Sequence, residues 1–492
     1  MKRLFKHLSI YGLGGILANS ISFLLLPLYT RLLMPEDYGI LALMTIVASV
    51  IGILYGFMVS SGFIRNYYDN SDERQRRILF STALWFTFIN AFIFSLICIL
   101  FSEKIASLIF KFSGGALYIK LIVISTMLYS CSPVFYGLLI VREQSKKYVA
   151  VNIITLIATL SSTIILLVVF KWSVKGVLVG QIIGESVELI ILTLLMLKNI
   201  NLAVSRSALI DMLKFSGPLI PSQLAYFILT LSDRFFLQGY KDISEVGLYS
   251  LGYKFAALIP LLAIQPLKAW GPYIFSLIHN PKKCKSTIAD FSRYYFAGIL
   301  FLTILISVFS REVLMVMAKS DYWSAGKVVY ILCIGSVFFG MINVIEYGFH
   351  IVKKTYITSF MYIVGAALNL LFNYLLIPRY GMIGASVATS LSFLCILIGY
   401  FIFIKRVYPM PFKYLKFIFV FIISGIVYYI STFIQFGVIE SISLKFLMVL
   451  LFPIILIISG YFDKRELQKS RRVIFKAKRK FFSLLKPNFR KA

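Results

Sequence analysis

The chain has 492 residues, of which 60% are hydrophobic and 14% charged, and its mean hydropathy is +0.88. This composition leaves too little polar surface to cover soluble domains, so it excludes a soluble protein of this length. The formal net charge of +30 would indicate a nucleic-acid partner in a soluble protein. The basic residues, however, lie between apolar runs and in the C-terminal tail, where they set membrane orientation and meet anionic lipid headgroups. We therefore predict a membrane protein and no nucleic-acid partner.

The apolar runs are roughly 18 to 24 residues long, which is the length that a helix needs to cross about 30 Å of hydrocarbon. Barrel strands would instead alternate over about ten residues. The sequence therefore predicts an all-α polytopic membrane protein with about fourteen transmembrane helices. In chain order the predicted spans are 8–30, 38–60, 79–101, 117–141, 149–170, 175–197, 213–233, 244–265, 290–310, 326–350, 355–377, 383–404, 412–434 and 442–462.

The two ends of the chain indicate how the protein is oriented in the membrane. The first run follows Met1-Lys2-Arg3 and is longer than the apolar part of a usual signal peptide, so we interpret it as an uncleaved span. An even number of spans places both termini on one side, and most of the Lys and Arg residues fall on that side, which predicts cytoplasmic termini. The tail from Asp463 carries twelve basic residues, a pattern typical of an amphipathic helix on anionic lipid or of a flexible basic anchor.

An internal repeat is visible at an offset of 208 residues. We predict two halves of like orientation related by an axis along the membrane normal, with a site between them. The predicted units are a six-helix bundle over 1–200, a second over 201–405, two additional helices over 406–462 and the basic tail 463–492. The positions that match at this offset are Gly39 with Gly247, Tyr148 with Tyr356, and Gly176 with Gly384.

Polar residues inside the apolar runs are candidates for a site, because a charge at mid-helix costs about 2.5–3.5 kcal/mol on insertion scales. Gln181, Glu185 and Glu188 share one face of the sixth helix at i, i+4 and i+7 spacing, as do Asn343, Glu346 and His350 in the tenth. For Lys254, Glu185 and Glu346 the depth in the helix favours a cavity role. For Lys120 and Glu188 we favour snorkelling to an interface, and for Asn19, Asn369 and Asn373 we favour packing between helices.

The residue types predict what such a cavity would bind. Arg and Lys suit phosphate or carboxylate, while Asn, Gln, Tyr and Glu can hydrogen-bond sugar hydroxyls. The glutamates could instead be proton or sodium sites coupled to transport. The sequence contains no GxxxxGK[ST], HExxH or GxSxG motif, and its five cysteines have no ligand spacing. We therefore predict a transporter rather than an enzyme, with no metal, disulfide or cofactor.

Three stretches resemble the polysaccharide exporters, the oligosaccharide flippases of the superfamily that also holds the multidrug MATE transporters and the lipid II flippases. The first runs from Gly14-Gly15 through Arg31-Leu32-Leu33-Met34-Pro35-Glu36-Asp37-Tyr38-Gly39, over the first helix and the following turn. The second is Lys214 to Ser222 with Asp233 to Leu237 and Val246 to Ser250, and the third is Asn369 to Pro378 with Tyr380 to Thr389. The resemblance implies a V-shaped pair of six-helix bundles around a cationic cavity. It also implies a bacterial plasma membrane location and alternating access driven by an ion gradient or membrane potential.

The resemblance further implies a substrate, a lipid-linked oligosaccharide repeat unit on undecaprenyl pyrophosphate for O-antigen, capsule or exopolysaccharide synthesis. It implies a polysaccharide polymerase and other assembly proteins as partners. The alternative is a MATE-like ion-coupled exporter of small cationic compounds, which Glu185 and Glu346 motivate. The predicted substrate-binding residues are Arg31, Arg65, Arg234, Lys254, Asn343 and Glu346, and the predicted ion-coupling residues are Glu185 and Glu346.

Overall fold

The computed structural model describes residues 26–70, 72–112, 114–434 and 438–462, and these ranges contain helices and no strand. The predicted all-α class is confirmed. Two short 3-10 helices, Leu197–Asn199 and Ser320–Ala325, join longer elements. The α-helices are α1 Leu26–Leu32, α2 Pro35–Gly56, α3 Val59–Tyr67, α4 Glu73–Leu100, α5 Ser102–Ile109, α6 Gly115–Tyr129, α7 Ser132–Val141, α8 Ser145–Val168, α9 Ser173–Met196, α10 Arg206–Ser216, α11 Leu219–Leu231, α12 Asp233–Tyr240, α13 Ile243–Ala256, α14 Leu258–Ser276, α15 Pro281–Val308, α16 Ser310–Met317, α17 Gly326–Ile345, α18 Tyr347–Ile351, α19 Tyr356–Val407, α20 Tyr414–Thr432 and α21 Val438–Ile458.

Within the described ranges, eleven helical segments are long and apolar enough to cross a membrane. The protein is therefore a multi-pass membrane protein, and the exact number of fourteen spans stays a prediction. One of the eleven segments, α19, has 52 residues and contains two of the predicted spans. The predicted first span and the basic tail lie largely or wholly outside the described residues, as does Asn19.

Two predicted spans are broken in ways that the hydropathy pattern did not predict. The span predicted at 213–233 forms α10, α11 and α12. Its first break falls at Pro218, which has no N–H for the helix and whose ring clashes with the preceding turn. The span predicted at 38–60 ends as a regular helix at Gly56, because Phe57 and Met58 adopt φ angles of 42° and 55°. Residues other than glycine rarely adopt this left-handed region of φ and ψ, so the break stores backbone strain.

The long helix α19 is a hairpin of two antiparallel spans. Gly365 packs against Ile396, and Gly399 packs against Met361, so the two arms run alongside each other. The turn between them is at Gly381, where φ is 53° and ψ is −132°. The carboxylate of Glu245 accepts a hydrogen bond from the backbone N of Met382 at 2.8 Å, and a Cβ at Gly381 would overlap that carboxylate. The first turn of α13 therefore holds this hairpin in place.

The helices α2 and α13 meet through their backbones. A Cβ added at Gly39 would overlap the carbonyl of Ile243, and a Cβ added at Gly247 would overlap the carbonyl of Pro35. Pro35 and Ile243 are themselves separated by the repeat offset of 208 residues. Gly39 therefore meets the start of α13 in the same way as Gly247 meets the start of α2. Such a reciprocal contact is the signature of a two-fold arrangement. We call this side of the bundle the Gly39 end, and the opposite side, where Phe57 and Met58 lie, the Met58 end.

The last two described helices pack on the outside of the second half. Both α20 and α21 contact α15. Tyr428 of α20 stacks on Tyr330 of α17 with ring centroids 3.9 Å apart. At the other end of these helices, the hydroxyl of Tyr461 donates to the carbonyl of Arg293 at 2.8 Å. These contacts fix both ends of the added helix pair to the bundle.

We predict that Gly247→Val destabilises the protein by about 1–3 kcal/mol, the usual cost of overpacking a close contact. The cause is that the new side chain would meet backbone atoms of Pro35, which cannot rotate away. The thermal unfolding midpoint of the purified protein measures the effect. Gly298→Val is the matched control, because a Cβ at Gly298 meets nothing within 4 Å. Equal midpoints for the two variants would contradict the backbone contact between the halves.

Candidate substrate cavity

Two adjoining cavities lie inside the bundle, the larger mainly within the first half and the smaller where the first half meets α12 and α13. The larger, about 640 Å³, is lined chiefly by α2, α6, α8 and α9, with Gln223 contributed by α11. The smaller, about 250 Å³, is lined by residues of α1, α2 and α9 together with Arg234, Tyr253 and Lys254. Both include Thr45, Ile122 and Gln181 in their walls, so they are neighbours, and we call the two together the central cavity.

The helix α9 carries the acidic part of the central cavity. Gln181, Glu185 and Glu188 all line the larger cavity, so the helical spacing correctly predicted a shared face. Beside this face α9 packs closely on α8, where a Cβ at Gly180 or Gly184 would overlap the hydroxyl oxygen of a threonine on α8. Small residues four apart allow such close helix packing.

Hydroxyl groups surround the carboxylates of Glu185 and Glu188. Ser125 of α6 donates a hydrogen bond to Glu185. Glu188 is 5% exposed and has the hydroxyls of Ser132, Tyr136 and Thr155 within interaction range. The interpretation of Glu188 as a snorkelling residue is therefore wrong, because its carboxylate is buried among hydroxyl groups rather than extended to an interface.

The basic part of the central cavity begins with a buried ion pair. Asp233 is fully buried and accepts hydrogen bonds from Tyr249 and, at 3.2 Å, from Thr389. Its other oxygen receives the guanidinium of Arg234 at 2.9 Å. Arg234 is 5% exposed and also donates to the carbonyl of Thr230 at 2.9 Å. Arg234 is thus held rigidly at the cavity wall, with much of its charge already balanced by Asp233.

Lys254 differs from Arg234 in having no balancing carboxylate among the described residues. Its ammonium nitrogen lies 5.0 Å from the ring centroid of Tyr38 and 5.9 Å from that of Tyr29. The electron-rich faces of these rings attract a cation, but they do not neutralise it. A half-buried, unbalanced ammonium group on a cavity wall is therefore available to an anionic ligand.

The other four predicted binding residues do not line the central cavity. Arg31 is exposed and lies in the last turn of α1, where that helix meets α16. Its guanidinium donates a hydrogen bond to the carbonyl of Val316 in α16 at 3.2 Å. Arg65 is exposed and pairs with Asp69 one helical turn away.

Asn343 donates to the carbonyl of Phe339 in its own helix at 2.8 Å, so it satisfies its amide locally. Glu346 follows the end of α17, within electrostatic range of Tyr362 and Tyr400. The structure thus groups Glu185, Arg234 and Lys254 on the central cavity, whereas Asn343 and Glu346 lie elsewhere in the second half.

Sequence reasoning missed the aromatic and hydroxyl side chains of the site. Tyr29, Tyr38 and Tyr253 line the smaller cavity, and Ser125 and Thr126 line the larger one. Such residues occur throughout apolar helices and carry no signal in a single sequence. Tyr38 lies in the first turn of α2, within the stretch from Arg31 to Gly39 that carries part of the family resemblance.

The central cavity can bind an anionic group and polar hydroxyls at the same time. Lys254 and Arg234 supply positive charge in the smaller part, while Gln181, Glu185 and Gln223 supply hydrogen-bonding groups in the larger part. No group of three or more His, Cys, Asp or Glu side chains within the described ranges could hold a metal ion. The five cysteines are free thiols.

A helical membrane protein built from two like halves, with a polar and partly cationic cavity between them, is the class that this fold and site define. The family described as polysaccharide biosynthesis protein matches residues 28–326, and the chain belongs to that family. The Lsg locus putative protein 1 of Haemophilus influenzae is 22% identical over 336 residues, which cover 65% of this chain and 78% of that protein. An uncharacterized membrane protein of Methanocaldococcus jannaschii is 30% identical over 127 residues, a match that spans 25% of this chain and 24% of that protein.

Solved structures share the fold. The lipid II flippase MurJ in an inward closed conformation superposes with a TM-score of 0.73 at 16% identity, covering 92% of this chain and 99% of that one. An inward-facing multidrug resistance transporter of the MATE family gives a TM-score of 0.65 at 14% identity, covering 79% and 94%. The MATE-like architecture implied by the resemblance is therefore confirmed.

We predict that removing the charge of Arg234 and removing that of Lys254 have different effects on the stability of the protein. Arg234→Met leaves Asp233 buried without its counter-charge and should cost about 3–5 kcal/mol. Lys254→Met removes an unbalanced, half-buried charge and should leave stability unchanged or increase it. Thermal unfolding of the two purified variants, compared with the unsubstituted protein, measures both effects. A marked loss of stability for Lys254→Met would mean that this lysine has a structural partner.

Proposed function

We propose that the protein flips a lipid-linked oligosaccharide, an undecaprenyl-pyrophosphate-linked repeat unit, across the bacterial plasma membrane for surface polysaccharide synthesis. The single observation that carries this proposal is the unbalanced Lys254 beside Arg234, in a cavity whose larger part is lined by amide, carboxylate and hydroxyl groups. A pyrophosphate joined to a saccharide matches both parts. Membership of a polysaccharide biosynthesis family supports the same substrate class.

In the proposed binding mode, the pyrophosphate contacts Lys254 and Arg234 at the wall of the smaller cavity, and the sugars extend toward Gln181, Glu185 and Gln223. The lipid chain stays in the bilayer outside the cavity. Asp233 acts as a positioning residue, because it fixes Arg234 and prevents its guanidinium from following the ligand. Lys254 is bound by aromatic rings alone and can move with the phosphate.

Transport then requires that the two halves open alternately. The Gly39 end is closed by the α2–α13 contact, and the strained break at Phe57 and Met58 lies near the margin of the cavity at the opposite end. We propose that the halves rock about the cavity, with the Gly39 end outside and both termini in the cytoplasm. Strained positions often occur where a segment changes conformation.

A membrane potential is a sufficient source of energy for an anionic substrate. Each elementary charge that crosses 100 mV changes free energy by about 2.3 kcal/mol. Outward movement of a pyrophosphate from a negative cytoplasm is therefore favourable in the proposed direction. An ion gradient acting through Glu185 is the other proposed source, since its carboxylate lines the path and is hydrogen-bonded to Ser125.

A second function, export of small cationic compounds, is favoured by the paired carboxylates Glu185 and Glu188 in the larger cavity. Drug tolerance of overexpressing cells separates the two proposals. Raised tolerance that Glu185→Gln abolishes and Lys254→Met leaves intact would favour the cation exporter. The flippase proposal expects no change in tolerance with either variant.

We predict that the gene restores surface polysaccharide in a strain that lacks its own flippase, and that Lys254→Met reduces this restoration about tenfold or more, as expected for the loss of a charge-assisted contact. Surface polysaccharide and the lipid-linked intermediate of the inner leaflet are measured together. Lys319→Met, which removes an exposed lysine at the Gly39 end, is the matched control and should behave like the unsubstituted protein. Full activity of Lys254→Met, at equal expression, would exclude the proposed role of this residue.

A further inference from the structure

A separate cleft of about 510 Å³ lies where the added helices α20 and α21 meet α15, α16 and α17. It is at the Gly39 end of the bundle, because the neighbouring elements bind the segment between α1 and α2. The carbonyl of Met317 in α16 accepts from Thr30 at 2.8 Å, and the hydroxyl of Tyr322 donates to the carbonyl of Leu33 at 3.2 Å. The cleft shares no lining residue with the central cavity.

The lining of this cleft is cationic. Arg311, Lys327 and Lys445 all line it, and no carboxylate does so among the described residues. Lys445 lies inside the apolar helix α21, is 4% exposed, and pairs with Glu312 at 2.5 Å. Arg311 and Lys327 are exposed and have no hydrogen-bond or ion-pair partner in the part of the chain that the structure describes. The four charged groups together leave a net charge of about two positive units facing one space.

The position of the cleft limits what kind of anion can reach it. Three helices that are apolar enough to span the membrane, α15, α20 and α21, have one end at this cleft. Trp323 and Tyr428 both line the cleft, and Trp323 is 41% exposed. Tryptophan and tyrosine collect at the level of lipid headgroups, where one side is apolar and the other is wet. A ligand with a charged head and an apolar body fits this boundary better than a freely soluble anion.

The outer surface of the added helices offers an apolar path for such a body. Ile442, Leu444, Phe446 and Leu447 on α21 are each more than two-fifths exposed. They begin within one helical turn of Lys445, so a lipid whose head enters the cleft can lie along this helix. The ion pair with Glu312 balances the charge of Lys445. The charges of Arg311 and Lys327 have no such partner among the described residues.

We infer that this cleft binds the phosphate group at the head of a membrane lipid, through Arg311 and Lys327, with Lys445 as a third positive group. The inference does not depend on the proposed flippase activity. Arg and Lys differ usefully here, since a guanidinium can grip two phosphate oxygens and an ammonium acts as a point charge. The phosphate could belong to a phospholipid headgroup or to a polyprenyl phosphate, and the chemistry of the site is the same for both.

The test uses the purified full-length protein in detergent and measures binding of short-chain phosphatidylglycerol by native mass spectrometry. We expect Arg311→Gln with Lys327→Gln to weaken this binding about tenfold. The matched control is Lys241→Gln with Lys319→Gln, which removes two charges at the same end but outside the cleft, and it should bind as the unsubstituted protein does. Thermal unfolding confirms that the variants fold, and Lys327→Arg should retain binding.

Two further ligands identify the source of the phosphate. Stronger binding of undecaprenyl phosphate than of phosphatidylglycerol, lost in the cleft variant, would assign the site to the lipid carrier; equal binding would assign it to phospholipid headgroups. Displacement of both lipids by millimolar inorganic phosphate would overturn the lipid assignment. Equal lipid binding by the cleft variant and the control variant would overturn the site itself.

Discussion

The backbone contact between α2 and α13 is the constraint on which the arrangement of the two halves depends. Gly39 and Gly247 are equivalent in the repeat, and each lies against the backbone of the other's helix. No side chain separates the helices there. The ring centroid of Tyr38, in the first turn of α2, therefore lies 5.0 Å from the ammonium nitrogen of Lys254, in the last turn of α13. A close contact at one end of the bundle thus places the key cation of the cavity against the opposite half.

The charged groups inside the second half fall into two kinds with different consequences. Asp233 and Arg234 balance each other, are fully or almost fully buried, and draw on Tyr249, Thr389 and the backbone. Removing one partner of such a pair is costly, so this pair serves structure as well as any ligand. Lys254 lines the smaller cavity with no balancing carboxylate among the described residues, and this is the reason for proposing that it binds the ligand. The same contrast separates Lys445 from Arg311 and Lys327 in the outer cleft.

The class of fold could be predicted from the sequence because apolar runs of membrane length carry a strong and local signal. The break at Phe57 and Met58 could not, since these residues adopt a left-handed backbone that no residue preference indicates. The helical spacing of Gln181, Glu185 and Glu188 predicted a common face, but whether that face met a cavity or lipid depended on how α9 packs on α8.

Depth in a helix pointed to Lys254, which lines the central cavity. The same criterion could not separate Glu185, which lines the central cavity, from Glu346, which lies in the second half and does not line it. The partner of Lys445 is a tertiary property, because Glu312 meets it only when the helices are assembled. The partner of Arg65 is local, since Asp69 lies one helical turn away. The aromatic rings around Lys254 come from two different helices of the first half and carry no signature in one sequence.

The central claim is that the two halves must separate at the Gly39 end for substrate to pass. The most direct measurement is translocation of a lipid-linked oligosaccharide by proteoliposomes that contain Glu36→Cys with Ser244→Cys in a cysteine-free background, before and after a reversible bifunctional crosslink. These two positions are equivalent in the repeat and lie in the first turns of α2 and α13. The account predicts that the crosslink stops translocation and that its cleavage restores it. Translocation at an unchanged rate with the crosslink intact would contradict the account.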